Sequence, residues 1–303
     1  MEEYEEIVSK MNTTDLFRLA RALNVPMTQR IMRKSLLIRM LQERLRELPT
    51  EEPPALRDPA TVIAGMSKRF GTNVAVRRLN LAVHPGEIVG LVGPNGAGKT
   101  TTLRIIAGII RPTRGRVIVN GHDITRHGIE AKRVIGYVPE RPSCYENLKV
   151  REYLTFVAKI YGVPTHEAVL RIAEYADMLQ LTPFLDAYVG TLSKGNLQRT
   201  LLAGVFVRPP PYVIVFDEPI YGLDPRGAWS LKKHLKRLRD QGSAILISTH
   251  ILEVAEGLCD RFIIMHEGDV VGQGTLEELR AQCPDARNLE EMFLDLTGGI
   301  PAE

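Results

Sequence analysis

The chain has 303 residues, of which 39 are lysine or arginine and 36 are aspartate or glutamate, so its formal net charge is only +3. This balance excludes a polybasic or polyacidic chain, and any binding to nucleic acid or to an anionic membrane would have to be local. A hydrophobic content of 44% and a charged content of 25% are ordinary for a globular protein, so neither disorder nor a fibrous structure is expected.

Two helices are predicted in the first 50 residues. The first begins near Thr13, Thr14 and Asp15, which are good N-cap residues. The second follows an extended segment over residues 24–31 and ends before Pro49. Apolar side chains at helical spacing define the expected buried faces, Leu16, Leu19, Ala20 and Leu23 in the first helix and Leu37, Leu41, Leu45 and Leu48 in the second.

Residues 51–59 (EEPPALRDP) predict a linker, because their prolines and charges oppose packing. The preceding module, residues 1–50, resembles the small helical SAP and Rho N-terminal modules, many of which bind nucleic acid. A local basic excess fits such binding and comprises Arg18, Arg21, Arg30, Arg33, Lys34, Arg39, Arg44 and Arg46. The alternative is a solvated face on helices that dock onto the rest of the chain or onto a partner.

From Thr61 onward, short strands alternate with helices, which predicts a layered α/β domain. Strands are predicted at 62–64, 117–119, 134–138, 213–216 and 244–247. Between Pro142 and Val189 only helical spacing is present, at 150–161 and 166–181. A helical insertion is therefore expected to interrupt the strand-bearing domain.

The segment 93–100 (GPNGAGKT) fits the phosphate-loop pattern G-x-x-x-x-G-K-[ST]. Its glycines let backbone N–H groups approach a phosphate, Lys99 adds a charge, and the Thr100 hydroxyl can ligate Mg²⁺. The loop lies between a predicted apolar strand, residues 87–92, and the start of a predicted helix, residues 101–108, where anions bind. It predicts an ATP site that comprises Gly93, Pro94, Asn95, Gly96, Ala97, Gly98, Lys99, Thr100 and Thr101.

A second apolar stretch, residues 212–216, ends in Asp217 and Glu218, which is the Walker B arrangement. Asp217 is expected to hold Mg²⁺ and Glu218 to face the attacking water, because hydrolysis needs both a metal ion and a carboxylate. The alternative for this motif alone is two acids that merely cap a strand.

Residues 191–199 (TLSKGNLQR) resemble the LSGGQ signature of ATP-binding cassette (ABC) proteins. The phosphate loop, the Walker B motif, a D-loop at 222–225 and a switch histidine at 248–250 occur in the order of that family. The resemblance covers residues 61–280 and implies an α/β P-loop cassette over about 60–282, with a helical subdomain at about 141–200.

The resemblance also implies that the enzyme is an ATPase that works as a dimer. The signature of one copy closes over the ATP held by the other, so Ser193, Gly195 and Asn196 would contact the γ-phosphate. Phe70 would stack on adenine, although it could equally belong to the core. The expected catalytic residues are Glu218, His250 and Lys99, with His250 bonded to the γ-phosphate.

Two positions depart from the pattern of the family. Glu140 stands where a glutamine is usual; a carboxylate can still ligate Mg²⁺ but adds negative charge near a triphosphate. In the signature, Lys194 and Asn196 replace the commonest glycine and glutamine, and Asn196 keeps an amide donor. The expected metal ligands are Thr100, Glu140 and Asp217, and activity is expected to survive both changes.

Residues 268–275 resemble the closing hairpin of the family, and the tail, 283–303, contains helical spacing over 288–297. Such a helix is common in exporter-type cassettes. The resemblance therefore implies the ATP-binding subunit of a transporter of the ABC-2 exporter type, with a second cassette and a polytopic membrane permease as partners. The alternative is a soluble cassette ATPase that acts on nucleic acid or ribosomes through the N-terminal module.

The three cysteines, Cys144, Cys259 and Cys283, form no C-x-x-C pair, so neither a metal site nor a disulfide framework is expected. No run approaches about 20 consecutive apolar residues, and the acidic residues 1–6 do not resemble a secretory signal. We expect a peripheral protein, held at the cytoplasmic face of the cell membrane by a membrane subunit.

Overall fold

The structure is a computed structural model that describes residues 2–23, 25, 34–46, 56–210 and 213–298. In chain order its elements are α1 (Glu2–Lys10), α2 (Thr13–Ala22), α3 (Lys34–Arg46), β1 (Thr61–Phe70), β2 (Asn73–Val83), β3 (Ile88–Val92), α4 (Lys99–Ile106), β4 (Arg114–Val119), β5 (His122–Asp123), α5 (Gly128–Arg133), β6 (Ile135–Val138), α6 (Val150–Ile160), α7 (Thr165–Met178), α8 (Lys194–Phe206), β7 (Val213–Asp217), α9 (Pro225–Asp240), β8 (Ala244–Thr249), α10 (Leu252–Glu256), β9 (Arg261–His266), β10 (Asp269–Gly274), α11 (Leu276–Gln282) and α12 (Leu289–Leu296).

The chain divides into two compact units, a helical unit from residues 1–54 and 142–209 and a sheet unit from residues 55–141 and 210–303. The predicted helical insertion is thus present as α6–α8. It shares its unit with the N-terminal module (α1–α3), which the sequence predicted as a unit of its own.

The N-terminal module has a small apolar core. Helix α2 begins at Thr13, near the predicted position, but its N-cap is Asn12, which accepts a hydrogen bond from the Asp15 backbone N–H at 2.9 Å. The predicted N-cap residues Thr13, Thr14 and Asp15 instead form the first turn of the helix. The predicted faces are buried in α2 and α3, and α1, which the sequence did not predict, adds Val8. Leu170 of α7 belongs to the same core. Leu48, most of the segment 24–31 and residues 51–55 lie outside the described residues.

The sheet unit contains two sheets. A six-stranded sheet has the order β10-β9-β3-β8-β7-β6, and a four-stranded antiparallel sheet has the order β2-β1-β4-β5. Strands β3, β7 and β8 are buried along their whole length, as expected for parallel strands covered on both faces. The predicted strands at 62–64, 117–119, 213–216 and 244–247 lie within observed strands. The strand predicted at 134–138 is β6, which begins one residue later.

The parallel pairs bring three chain segments to one edge of the six-stranded sheet. Val92 at the end of β3 is in register with Thr249 of β8, and Asp217 of β7 is in register with Ser248. The carboxyl ends of parallel strands lie side by side, so the loop after β3 and the residues after β7 and β8 converge. This edge holds the candidate site.

The C-terminal elements complete the sheet unit. Strands β9 and β10 form an antiparallel hairpin, of which the range predicted for the closing hairpin, 268–275, contains only β10. Asn288 caps α12, whose Leu289 and Met292 are buried. The cysteines form no disulfide bond. No helix in the described part of the chain combines the length and the apolarity needed to cross a membrane.

Candidate active site

The phosphate loop follows β3 and depends on glycine at two positions. Gly93 and Gly98 have φ values of 145° and 105°, which L side chains rarely adopt. A Cβ atom would lie 2.1 Å from the Met265 carbonyl oxygen at Gly93 and 2.5 Å from the Ala75 carbonyl oxygen at Gly98. The loop is therefore packed tightly against its own unit, while its tip is exposed at Pro94, Asn95 and Gly96.

Lys99 begins α4 and points back into this loop. Its side chain is buried, and Nζ donates hydrogen bonds to the carbonyl oxygens of Gly93 at 2.6 Å and Pro94 at 3.0 Å. Burial lowers the pKa of Lys99, and the negative charges of Glu218, Asp217 and Glu140 oppose that shift. The ammonium group is thus poorly solvated and surrounded by acceptors, which suits it to bind an anion.

Asp217, at the end of β7, is buried beside Thr100. Its Oδ1 accepts hydrogen bonds from Thr100 Oγ1 at 3.1 Å and from Ser248 Oγ at 2.5 Å. Its buried Oδ2 has no hydrogen-bond partner among the residues that the structure describes. A buried carboxylate oxygen without a partner is costly, and a divalent cation would satisfy it. The predicted pair Thr100 and Asp217 therefore fits Mg²⁺.

The third predicted metal ligand, Glu140, follows β6 and is exposed. Within the described ranges, no group of three His, Cys, Asp or Glu side chains is arranged to hold a metal ion. Magnesium would therefore take much of its coordination from phosphate and water oxygens, which is its usual behaviour. The negative charge of Glu140 acts on Lys99, where it opposes the lowering of the pKa by burial.

Glu218 and His250 contact each other. Glu218 has a φ of 51°, and its backbone N–H donates to the carbonyl oxygen of Ser248 at 3.2 Å. Its Oε1 lies 2.8 Å from His250 Nδ1. A left-handed non-glycine residue costs about 1 to 2 kcal/mol, so the surrounding hydrogen bonds must hold it. The side chain of Glu218 is buried, and its contact with His250 joins two of the predicted catalytic residues.

Ser248 is a site residue that the sequence motifs do not identify. It lies in the switch-histidine motif, and its hydroxyl donates to Asp217 Oδ1 and accepts the Glu218 N–H at 3.1 Å. It joins the two acids of the Walker B motif to β8. The only sequence signal was its place two residues before His250, which matters once β7 and β8 are known to be neighbours.

We expect Ser248→Ala to lower the rate of ATP hydrolysis about tenfold and to destabilise the fold by roughly 1 to 3 kcal/mol, because two buried groups lose a partner. Steady-state turnover and urea unfolding measure these effects. Ser230→Ala, on α9, is the matched control and leaves both values unchanged. A Ser248→Ala chain with normal turnover would show that the hydroxyl does not organise the Walker B acids.

Phe70, at the end of β1, is not part of the core. Half of its surface is exposed, and Lys68 Nζ lies 4.8 Å from the centre of its ring. The alternative that Phe70 is a core residue is therefore wrong, and an exposed ring face is open to stacking.

The signature residues belong to the helical unit. Ser193 is the N-cap of α8, and its Oγ accepts the Asn196 N–H at 3.3 Å. Ser193 and Lys194 are exposed, and Gly195 and Asn196 are half-buried. The turn thus presents a hydroxyl group and a helix N-terminus to the outside of its unit, which is a suitable surface for an anion.

A sequence model of the ABC transporter family matches residues 76–221. The chain is 35% identical to the ABC-type transporter ATP-binding protein EcsA of Bacillus subtilis, over 75% of this chain and 92% of that relative. The chain belongs to the family of ABC transporter ATP-binding proteins. It is also 36% identical to the Nod factor export ATP-binding protein I of Burkholderia thailandensis, over 75% of this chain and 77% of that relative.

Among solved structures, the chain resembles a dimeric ATP-binding cassette in a post-hydrolysis state with bound ADP and Pi. The TM-score is 0.64 and the identity is 26%, over 71% of this chain and 98% of that one. The protein is therefore an ABC ATPase and the ATP-binding subunit of an ABC transporter, as its ordered motifs predicted.

Proposed function

We propose that the protein is the ATP-hydrolysing subunit of an exporter-type ABC transporter, in which two cassettes close on ATP and drive a separate membrane subunit. The cluster of Lys99, Thr100, Asp217, Glu218 and His250 at one edge of the sheet carries this proposal. It supplies a cation for phosphate, ligands for a metal ion and a carboxylate for water in one place.

In the proposed mechanism, the loop N–H groups and Lys99 bind and orient the β- and γ-phosphates of ATP. Lys99 exchanges its hydrogen bonds to two neutral carbonyl oxygens for hydrogen bonds to phosphate oxygens. The new bonds are stronger because the phosphate oxygens are negatively charged. Thr100 and Asp217 would hold Mg²⁺, which neutralises the phosphate charge.

Glu218 orients the attacking water and takes up its proton. The contact with His250 Nδ1 fixes the position of that carboxylate. With both ring nitrogens protonated, Nδ1 donates to the Glu218 carboxylate and Nε2 donates to the γ-phosphate. In this arrangement one histidine links the presence of the γ-phosphate to the position of the base.

The second half of each site comes from the signature of the other copy. The exposed Ser193 and the N-terminus of α8 provide donors of the type that a γ-phosphate needs, and Asn196 adds an amide. The likeness to a dimeric cassette with bound ADP and Pi supports this arrangement. ATP then favours the closed dimer because it binds both surfaces.

An exposed apolar patch in the helical unit supports contact with a membrane subunit. Tyr145 is 60% exposed, its ring packs edge-to-face against that of Phe156 at 5.6 Å, and Ile160 follows one turn later with 61% exposure. Exposed clusters of this kind mark protein interfaces. We assign this patch to an amphipathic cytoplasmic helix of the permease, which would hold the cassette at the membrane.

The export direction rests on two supports. A relative that covers three quarters of the chain is a Nod factor export ATP-binding protein. The predicted C-terminal helix is present as α12, with Leu289 and Met292 buried against the sheet unit.

Affinity purification of the tagged chain from detergent-extracted membranes tests the proposal. A polytopic membrane protein should co-purify, and Tyr145→Ser with Phe156→Ser should abolish its capture while ATP hydrolysis by the isolated chain persists. Trp229→Ser removes an equally exposed aromatic residue of the sheet unit and should keep the partner. Recovery of only soluble partners, or strong stimulation of hydrolysis by RNA or DNA, would favour the alternative function.

A further inference from the structure

We infer that the N-terminal module positions the signature turn, residues 192–196, and that Asp15 is the positioning residue, acting through Arg151. The inference rests on the proposed closure of the signature over ATP. None of the module lies within residues 76–221, which match the family, so the family does not define its role.

The module is fixed to the helical insertion (α6–α8) by apolar and ionic contacts. Leu170 of α7 lies in the core of the module, with Val169 and Ala173 packed against it. Asp15 is buried at this junction, and its Oδ1 accepts from Arg151 Nη1 at 2.7 Å and from Arg18 Nη1 at 3.0 Å. Asp15 therefore forms one ion pair within the module, with Arg18, and one with α6, with Arg151, and only the second depends on docking.

Arg151 connects this junction to the segment that precedes the signature. Besides Asp15, its side chain contacts Asp186 Oδ1 through Nε at 3.3 Å, and its backbone N–H donates to the Leu185 carbonyl oxygen at 2.9 Å. The side chain of Arg151 is only 15% exposed, whereas that of Asp186 is 69% exposed. Asp15 is thus the buried partner that fixes the guanidinium group.

Two segments then run side by side from Arg151 toward the signature turn. Three backbone N–H groups donate to backbone carbonyl oxygens across the two segments. The bonds run from Val150 to Ala187 at 3.0 Å, from Val189 to Leu148 at 2.9 Å and from Gly190 to Glu146 at 3.1 Å. These bonds hold residues 185–190 along residues 146–151, and residue 190 is two positions before the signature turn. A shift of Arg151 is therefore transmitted along a hydrogen-bonded ladder to Ser193.

The ionic junction explains how the module could act on catalysis without touching nucleotide. Removing one partner of a buried ion pair leaves the other charge unsatisfied, so the guanidinium group of Arg151 would move toward solvent or toward Asp186. The backbone hydrogen bond between Arg151 and Leu185 would weaken, and the signature turn would become more mobile. Closure over ATP would then be less probable at the same occupancy of the phosphate loop.

The test compares the full-length wild-type chain with Asp15→Asn. We expect the kcat for ATP hydrolysis to fall roughly two- to tenfold, with the affinity of the monomeric chain for a fluorescent ATP analogue unchanged. Hydrogen exchange should become faster at residues 146–151 and 185–192. A merely structural role would alter melting without this local pattern, so normal kcat or unchanged exchange in these segments would overturn the inference.

Glu6→Gln is the matched control, because it removes the same charge from the same module at an exposed ion pair with Lys10. It should leave kcat unchanged; an equal loss in both variants would contradict a specific role for Asp15. In a double-mutant cycle, Asp15→Asn should have no further effect in an Arg151→Gln background, and multiplying losses would overturn the pathway through Arg151.

Arg151→Lys gives the same test if Asp15→Asn unfolds the module. Lysine keeps a charge opposite Asp15 but cannot bond to Asp15 and Asp186 at once, so kcat should fall in a folded chain. Normal kcat in that variant would overturn the inference. A wild-type chain that hydrolyses no ATP would instead contradict the proposed function itself.

Discussion

Replacing Glu218 with glutamine should lower the rate of ATP hydrolysis at least about 100-fold while ATP still binds, because the general base is lost and the phosphate loop is untouched. The amide keeps the shape of the side chain and its contact with His250. The bound ATP therefore persists, and the variant should accumulate as a closed dimer. Turnover, nucleotide titration and size-exclusion chromatography with ATP measure the three effects.

Glu267→Gln is a suitable control for this experiment. Glu267 is exposed in the turn between β9 and β10 and is also a non-glycine residue with a positive φ, 47°. The same change of side chain in the same backbone conformation should leave turnover intact. Normal hydrolysis by the Glu218→Gln chain would remove Glu218 from the role of base.

The sequence predicted the site more completely than it predicted the site's internal contacts. The phosphate loop and the Walker B acids are local motifs, so their residues and approximate geometry follow from the chain itself. The convergence of Lys99 and Asp217 follows from parallel pairing, since β3, which precedes Lys99, and β7, which ends at Asp217, both pair with β8. The contact of Ser248 with both acids depends on the register between β7 and β8, which no local pattern specifies.

In the N-terminal module, too, local patterns were predicted and long-range contacts were not. The buried faces of α2 and α3 could be predicted because leucines recur at helical spacing. Helix α1 was missed because its sequence, EEYEEIVSK, is dominated by charge, and Val8 is buried only against residues that are distant along the chain. The docking of the module on α7 could not be predicted either. An aspartate near the start of a helix, such as Asp15, is typical of a solvated or capping residue, and only the fold shows that Arg151 lies beside it.

Replacing Lys99 with alanine should weaken ATP binding by roughly 10- to 100-fold, because a charged hydrogen-bond donor to phosphate is lost. Titration with a fluorescent ATP analogue measures the affinity. The melting temperature gives a second readout, since ATP should raise it in the wild type and hardly raise it in the variant. Lys132→Ala, exposed on α5, is the control and should bind ATP normally. Equal affinity in wild type and Lys99→Ala would exclude Lys99 from phosphate binding.

The affinity for ATP should also depend on alkaline pH through Lys99. Burial lowers the pKa of this amine below the 10.5 of an ordinary lysine, so in the nucleotide-free protein it loses its proton at a lower pH. Bound phosphates favour the charged form, and binding must then return the proton. The affinity should therefore fall as the pH rises through that lowered pKa. The Lys99→Ala chain lacks the group and should lack this component, so the difference between the two titrations across pH assigns the effect to Lys99 alone.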